Sequence, residues 1–158
     1  MGNAKPAIIG VICAMLITFI LSVGGRIEGY FFPVVVNTQI TSAEGVTDYS
    51  TRISGQSDKL RECDYDSLVW YSEGAGVASR ISIIFEERTK RRQAGVFFFG
   101  PWVLNSTEAD IRESSRSSVF HRCHPLWRTE TAFYGPNAQK REKTDTPAPT
   151  DKEKLDAQ

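Results

Sequence analysis

Apolar residues form one long block near the N-terminus and then a series of short runs. The block covers residues 7–23 (AIIGVICAMLITFILSV) and is interrupted only by Thr18 and Ser22. A helix rises about 1.5 Å per residue, so the block and the two glycines after it approach the ~30 Å thickness of a bilayer's hydrocarbon core. The pattern predicts a transmembrane signal-anchor helix over residues 7–25, after a short N-terminus of residues 1–6.

Two interpretations of this block stay open at the level of sequence. A cleaved secretory signal also has an apolar stretch followed by small residues, and Ser22 and Gly24 provide a small-x-small site. The block is at the long end for a signal peptide, and its basic start consists of Lys5 and the terminal amine. These two features favour an uncleaved anchor.

After Arg26 the apolar positions are spaced for β-strands. They alternate with polar residues or cluster in short runs of β-branched and aromatic types, and turn-forming residues separate the runs. Strands are predicted at residues 34–40, 49–53, 63–71, 77–85, 95–99, 119–123 and 129–134. Within the fourth run, Ile81, Ile83 and Phe85 are expected to share one face of a single strand, with Ile84 as the exception. One short helix is predicted at residues 107–114, capped by Thr107.

The fold class is therefore all-β, with one transmembrane helix in front of a small antiparallel β-sandwich of about seven strands. The sandwich domain is assigned to residues 26–137. Residues 138–158 contain almost no apolar side chain, so burial there cannot offset an ordering entropy of about 1–2 kcal/mol per residue. They are predicted to form a disordered tail.

The cysteines indicate on which side of the membrane the domain lies. Cys13 lies inside the apolar block, which leaves Cys63 and Cys123 as one pair for a disulfide in an oxidising compartment. We therefore expect a cytoplasmic N-terminus and an extracytoplasmic domain. A spacing of about sixty residues is close to that of the bridge between the two sheets of immunoglobulin domains, but the tyrosine-corner position holds His121 and Trp70 lies too close to Cys63. Only an immunoglobulin-like outline is expected.

The residues with the most chemical potential are His121, Cys123 and His124, because imidazole and thiolate are preferred ligands of zinc and copper. On a strand, His121 and Cys123 point to one face and His124 to the other, and a disulfide would consume the thiol. The favoured interpretation is structural, with no cofactor. Metal binding by these three residues is the alternative.

Catalytic patterns are not evident elsewhere in the chain. Asp64 and Asp66 do not resemble an acid and base pair held in a cleft, and the serines at 114–118 lack a nucleophile elbow. We therefore expect that the protein is not an enzyme. The chain has 19 Lys and Arg against 19 Asp and Glu, so its formal net charge is +0 and nothing general favours nucleic-acid binding.

The densest basic stretch is predicted to form the turn of a hairpin. The favoured interpretation is a solvated loop, and the alternative is contact with an anionic surface such as lipid phosphates. Its residues are Arg88, Lys90, Arg91 and Arg92.

Three short strings stand out together in order and spacing. They are Lys59-x-Arg61-x-Cys63, Phe99-Gly100-Pro101-Trp102 and His121-x-Cys123-His124-Pro125-x-Trp127-x-Thr129-x-Thr131. Through them, residues 34–135 resemble a group of short single-anchor proteins of unassigned function from bacteriophage and proteobacterial genomes. The resemblance implies a phage-encoded or bacterial inner-membrane protein with a periplasmic domain, and it implies no catalytic residue.

These observations favour one functional hypothesis over another. The first is a non-enzymatic, membrane-anchored periplasmic binding module whose partners are the membrane and a protein of the cell envelope. The alternative is a periplasmic metal-binding protein that uses His121, Cys123 and His124.

Overall fold

One long helix begins the fold and two antiparallel sheets follow it. The computed structural model describes residues 4–73, 77–86 and 93–135. Helix α1 covers Ala4–Phe31, and the short helix α2 covers Glu108–Ser114. The strands are β1 (Val35–Thr47), β2 (Ser50–Lys59), β3 (Asp64–Ser72), β4 (Ser79–Ile81), β5 (Ile83–Phe85), β6 (Gly95–Leu104), β7 (Ser115–Arg122) and β8 (Thr129–Tyr134). The predicted tail, residues 138–158, lies outside the described residues.

Helix α1 carries apolar side chains around its whole circumference in its first half, as expected of a helix that is surrounded by lipid. Its hydroxyl groups are satisfied within the helix, because Thr18 donates to the Ala14 carbonyl (2.9 Å) and Ser22 to the Thr18 carbonyl (2.8 Å). The stretch Ile8–Phe31 is long and apolar enough to cross a membrane. The helix continues to Phe31, beyond the end predicted at residue 25.

The eight strands are divided equally between two four-stranded sheets. The first sheet has the order β1-β2-β6-β5 and the second has the order β4-β3-β7-β8. Every neighbouring pair is antiparallel. Each strand run predicted from the sequence overlaps at least one of these strands, although β1, β2, β6 and β7 extend beyond the predicted runs. Helix α2 begins after its predicted cap, Thr107, whose side chain accepts from the Asp110 amide.

One strand prediction was wrong in detail, because residues 77–85 do not form a single strand. The chain changes sheets at Ser82: β4 pairs with β3, and β5 pairs with β6. Ile81 is buried in the second sheet, whereas Ile83 and Phe85 belong to the first and are more exposed. A two-residue hydrophobic period continues unbroken through such a crossing, so the period alone cannot reveal it.

Side chains from both sheets meet in one hydrophobic core. Phe99 and Trp102 of β6 contact Phe133 of β8, with ring centroids 5.2 and 6.0 Å apart. Trp70 of β3 is fully buried, and its indole N–H donates to the Ser115 hydroxyl at 2.8 Å. The Phe-Gly-Pro-Trp string is therefore a core element.

Strand register places several chain segments at the same end of the domain as α1. Val35 pairs with Lys59, which pairs with Gly95, so β1 and β6 begin where β2 ends. Residues 60–63 join this end to the start of β3, and residues 123–128 join β7 to β8 beside them. We call the segments 60–63 and 123–128 the proximal end, because α1 leads into it.

Candidate functional site

The most highly connected polar group near α1 is the carboxylate of Glu28. Its Oε1 accepts from the Arg61 guanidinium at 2.8 Å, and its Oε2 accepts from the Trp127 indole N–H and the Thr129 hydroxyl, each at 2.8 Å. Arg61 also donates to the Phe32 carbonyl at 3.0 Å. A single carboxylate on the last turns of α1 therefore binds both segments that meet at the proximal end. We call this group of four side chains, Glu28, Arg61, Trp127 and Thr129, the Glu28 clamp.

Glycine residues allow the backbone of α1 to touch the domain beside the clamp. A Cβ atom at Gly25 would overlap the Arg128 carbonyl oxygen, and one at Gly29 would overlap the Glu130 carbonyl oxygen. The Trp127 ring covers Gly24, the residue before Gly25, where a Cβ would lie 3.1 Å from ring carbons. Only glycine, which has no Cβ, permits this approach. The helix therefore lies directly on the backbone of residues 128–130, at the start of β8.

Further contacts surround the clamp. The His124 imidazole stacks on the Trp127 indole with centroids 3.9 Å apart and planes 10° from parallel. Arg26 pairs with Glu130 at 3.1 Å on the exposed side of the helix. The Thr131 hydroxyl accepts from the Val34 amide at 3.3 Å where the chain passes from α1 to β1. These contacts hold α1 to the domain on both sides of Glu28.

The disulfide predicted from the sequence is confirmed, and it lies beside the clamp. Cys63 and Cys123 are joined with their Cα atoms 4.8 Å apart. Cys63 directly precedes β3 and Cys123 directly follows β7, and these two strands are neighbours in one sheet. The bridge therefore joins strands of the same sheet, unlike the inter-sheet bridge of immunoglobulin domains to which its spacing was compared. It covalently ties the two segments that supply Arg61 and Trp127.

Two further polar residues, Lys59 and His121, are buried in the domain near the disulfide. The ammonium group of Lys59 donates to the Cys63 carbonyl at 2.8 Å, and His121 is 4% exposed. Within the described part of the chain, His121 Nδ1 is a buried atom without a hydrogen-bond partner. Burial, together with the positive charge of Lys59, lowers the pKa of His121 to about 4. The imidazole is therefore neutral at pH 7.

The residues of the metal alternative take separate roles in the structure. His121 is enclosed in the domain, Cys123 is part of the bridge, and His124 stacks on Trp127. In the segments that the structure describes, His, Cys, Asp and Glu form no group of three that could hold a metal ion. The basic residues Arg88, Lys90, Arg91 and Arg92 lie outside those segments, so the solvated loop and the alternative contact with an anionic surface both stay predictions.

Sequence reasoning did not identify the Glu28 clamp, although it singled out the strings that build it. Arg61 comes from the first string, and Trp127 and Thr129 come from the third. The residue that this reasoning did not single out was Glu28, an acidic residue five positions after the end of the apolar block. A carboxylate near the end of a long apolar helix needs polar partners, and this requirement was the available signal.

The Glu28 clamp connects α1 to the domain, and the Glu28 carboxylate is occupied by its hydrogen bonds, so it is not available to bind a ligand or to act as a catalytic base. Both oxygens of Glu28 are already engaged by three donors, and its side chain is 16% exposed. Charge-assisted hydrogen bonds of this kind are about twice as strong as neutral ones. The site therefore fixes the position of the domain on the helix.

Replacing Glu28 by alanine should loosen this junction. The substitution leaves the Trp127, Thr129 and Arg61 donors without their acceptor, which should cost about 2–3 kcal/mol of unfolding free energy after allowance for the partial exposure of Arg61. Chemical denaturation of the full-length protein in detergent, followed by tryptophan emission, measures this loss. Glu130→Ala removes only the exposed pair with Arg26 and should cost less than about 1 kcal/mol. Equal losses for the two variants would contradict the clamp.

Burial of neutral His121 predicts a specific dependence of stability on pH. The folded pKa of about 4 lies below the ordinary value of 6.5, so the unfolded chain binds the extra proton between these two values and stability falls as pH falls. We expect a loss of about 2–3 kcal/mol between pH 7 and pH 4.5. Carboxylates such as Asp66 contribute below this window, because hydrogen bonds from Ser67 and Arg122 and the charges of Arg128 and Arg122 outweigh desolvation and lower its pKa from 3.8.

Unfolding free energies of the wild type and of His121→Gln across this pH range test the assignment. The variant should lose most of the slope between pH 7 and pH 4.5, whatever its stability at pH 7. A slope that survives the substitution would show that another group is responsible.

Fold and site together define the class of protein: a chain with one apolar N-terminal helix whose last turns are fixed to a disulfide-bridged, two-sheet β domain. Comparison with protein-family models, with curated proteins and with solved structures finds no match to this chain.

Proposed function

We propose that the protein is a single-pass membrane protein whose domain lies outside the cytoplasm and acts as a non-enzymatic interaction module at the membrane surface. The observation that carries this proposal is that one uninterrupted helix, α1, contains both the apolar stretch that is long enough to span a membrane and the Glu28 side chain of the clamp. A flexible tether would leave the domain free to tumble. A helix fixed to the domain instead presents it in one orientation relative to the membrane.

The disulfide supports the extracytoplasmic side. Bridges between cysteines form and persist in oxidising compartments and are rare in the cytosol. Cys63 and Cys123 are bridged, whereas Cys13 lies exposed on the apolar part of α1. In a bacterial cell this side is the periplasmic face of the inner membrane. The resemblance of the three sequence strings to phage and proteobacterial single-anchor proteins leads to the same expectation and is part of this proposal.

We further infer that the two sheets stack as a sandwich with an immunoglobulin-like strand order. The order β1-β2-β6-β5 corresponds to strands A, B, E and D of a constant-type immunoglobulin domain, and β3-β7-β8 corresponds to strands C, F and G, with β4 added at the edge. The contact of Phe99 with Phe133 across the two sheets supports the stacking. Such domains are binding scaffolds more often than they are enzymes, which agrees with an interaction role.

The location is tested by expressing the full-length chain with a C-terminal epitope in a bacterial host. We expect the protein to stay in the membrane pellet after alkaline carbonate extraction, and the epitope to be cut by protease added to spheroplasts. A non-reducing peptide map should recover Cys63 joined to Cys123. A soluble, N-terminally shortened product would show a cleaved signal, and a protected epitope with free thiols would place the domain in the cytoplasm; either result overturns the proposal.

The interaction role needs a separate measurement. A photo-crosslinking amino acid placed at exposed positions on several sides of the domain should give a discrete protein adduct in intact cells from one side only. Position 49 in the β1–β2 turn and position 80 in β4 are suitable, because both side chains are exposed. The absence of any adduct from positions that cover all sides would contradict a protein-binding module.

A further inference from the structure

The proximal end of the domain exposes large apolar side chains beside the membrane helix. Leu126 is 66% exposed and Leu60 is 56% exposed. Phe32, directly after the end of α1, is 65% exposed. Leu60 is held next to this helix end, because its amide donates to the Val34 carbonyl at 2.8 Å. We call these three exposed side chains the apolar rim; the domain's own core does not cover them.

The depth of this rim relative to the bilayer follows from the contact of Trp127 with Gly24. Gly24 is the first residue after the apolar block of residues 7–23, and the Trp127 ring lies directly on it. Leu126 is adjacent to Trp127 in the chain. The segment 123–128 is therefore held at the level at which α1 leaves the hydrocarbon core.

The neighbouring side chains suit the interface between lipid and water. Trp127 has an apolar ring and a polar N–H, the type of side chain that concentrates at the headgroup level. Arg26 and Arg128 flank it and keep 79% and 60% of their side chains exposed, although each is paired with one carboxylate. Their exposed guanidinium groups retain N–H donors that can bind lipid phosphates beside the paired carboxylates.

We propose that the proximal end is a lipid-contacting surface: Leu126 enters the outer leaflet of the bilayer that α1 crosses, while Leu60 and Phe32 rest on its interface. This inference rests on the proposed membrane anchoring. Lipid is the occupant that the geometry favours, because the surface is continuous with the lipid-facing helix and is fixed to it by the clamp. The domain then lies on the membrane and does not stand above it.

The test uses the full-length protein in lipid nanodiscs with a small fluorescent amino acid incorporated by amber suppression, which leaves the nearby disulfide intact. The probe replaces Leu126 in one sample, Ile17 in the middle of α1 in a second and Tyr49 in the distal β1–β2 turn in a third. All three side chains are exposed, at 66%, 59% and 75%. Emission is measured with lipids that carry a quencher near the headgroup, with lipids brominated deep in the acyl chain, and with aqueous iodide.

We expect the probe at position 126 to lose at least about half of its emission with the headgroup quencher, as a side chain at the interfacial level should. The probe at position 17 should respond most to the deep quencher, and the probe at position 49 only to iodide. A probe in place of Leu60 should repeat the result at position 126 and guards against a local effect of one substitution.

The opposing outcomes separate the inference from the proposal on which it depends. If position 126 behaves like position 49 while position 17 is quenched by lipid, α1 is anchored but the domain does not touch the bilayer, and the inference is overturned. If position 126 is shielded from every quencher, a second copy covers the rim, and the inference is overturned as well. If position 17 is not quenched by lipid, the membrane anchoring itself is wrong.

Discussion

Replacing Gly29 by leucine is expected to release the last turns of α1 from the domain. A side chain at this position would overlap the Glu130 carbonyl oxygen, a backbone atom that cannot move aside as a flexible side chain would. Overpacking of this kind costs about 1–3 kcal/mol, and separation of the helix also removes the hydrogen bonds of Glu28, whose combined loss is expected to cost about 2–3 kcal/mol, as in Glu28→Ala. We expect a total loss of about 4 kcal/mol in chemical denaturation of the full-length protein in detergent.

The same helix provides a matched control for this substitution. A side chain at Gly10 meets nothing within 4 Å, so Gly10→Leu should leave the stability of the domain unchanged. The emission of Trp127, whose indole bonds to Glu28, should shift to longer wavelength in Gly29→Leu and should not shift in Gly10→Leu. A folded Gly29→Leu protein with wild-type stability and emission would contradict direct contact between α1 and the backbone of β8 at Glu130.

Removal of the disulfide is the second change with a large expected effect. The bridge closes a loop of 60 residues, for which the loop-entropy model gives a stabilisation of about 4 kcal/mol. The bridge also aligns Arg61 with Trp127, which lie two and four residues from the joined cysteines. We therefore expect the double variant Cys63→Ala/Cys123→Ala to lose both global stability and part of the clamp, as measured by denaturation and by Trp127 emission.

Cys13→Ala is the corresponding control, because Cys13 is exposed on α1 and has no part in the bridge. The denaturant concentration at the midpoint of unfolding should be the same for Cys13→Ala as for the wild type. If Cys13→Ala lost as much stability as the double variant, the thiol of α1 would have a structural role that the fold does not explain.

The sequence predicted those parts of the fold that depend on local pattern. The apolar block predicted α1, the alternating runs predicted strands in every region where they occur, and β8 was placed at its observed bounds. The disulfide pair could be predicted because only two of the three cysteines, Cys63 and Cys123, lie outside the apolar block. These features can be predicted from the pattern of neighbouring residues and from the number of cysteines.

Features that depend on distant contacts were missed for a physical reason. The exit of the chain from one sheet to the other at Ser82 leaves the hydrophobic period intact, so alternation could not locate it. The placement of the bridge within one sheet depends on which strands pair, and spacing along the chain does not carry that information. The Glu28 clamp depends on contacts across about a hundred residues, from Glu28 to Trp127 and Thr129. The sequence strings included Arg61, Trp127 and Thr129, but the strings did not indicate that these residues meet at Glu28.

The clamp also gives a physical reason for the spacing of the third string. Thr129 and Thr131 are two residues apart on β8, so they face the same side of the strand. One donates to Glu28, and the other accepts from the Val34 amide at the start of β1. The alternating threonines therefore bind two successive points of the chain as it leaves α1 and enters the first sheet.

The central claim is that α1 and the β domain form one rigid unit, and a distance distribution tests it most directly. Nitroxide labels at Leu21→Cys on α1 and Tyr49→Cys at the far end of the domain, in a Cys13→Ala background that keeps the native bridge, can be measured by double electron–electron resonance in lipid nanodiscs. A rigid unit predicts one narrow distance distribution, which should broaden when Gly29→Leu is added. A broad distribution in the protein without Gly29→Leu would show that the domain moves freely on its anchor and would contradict the account.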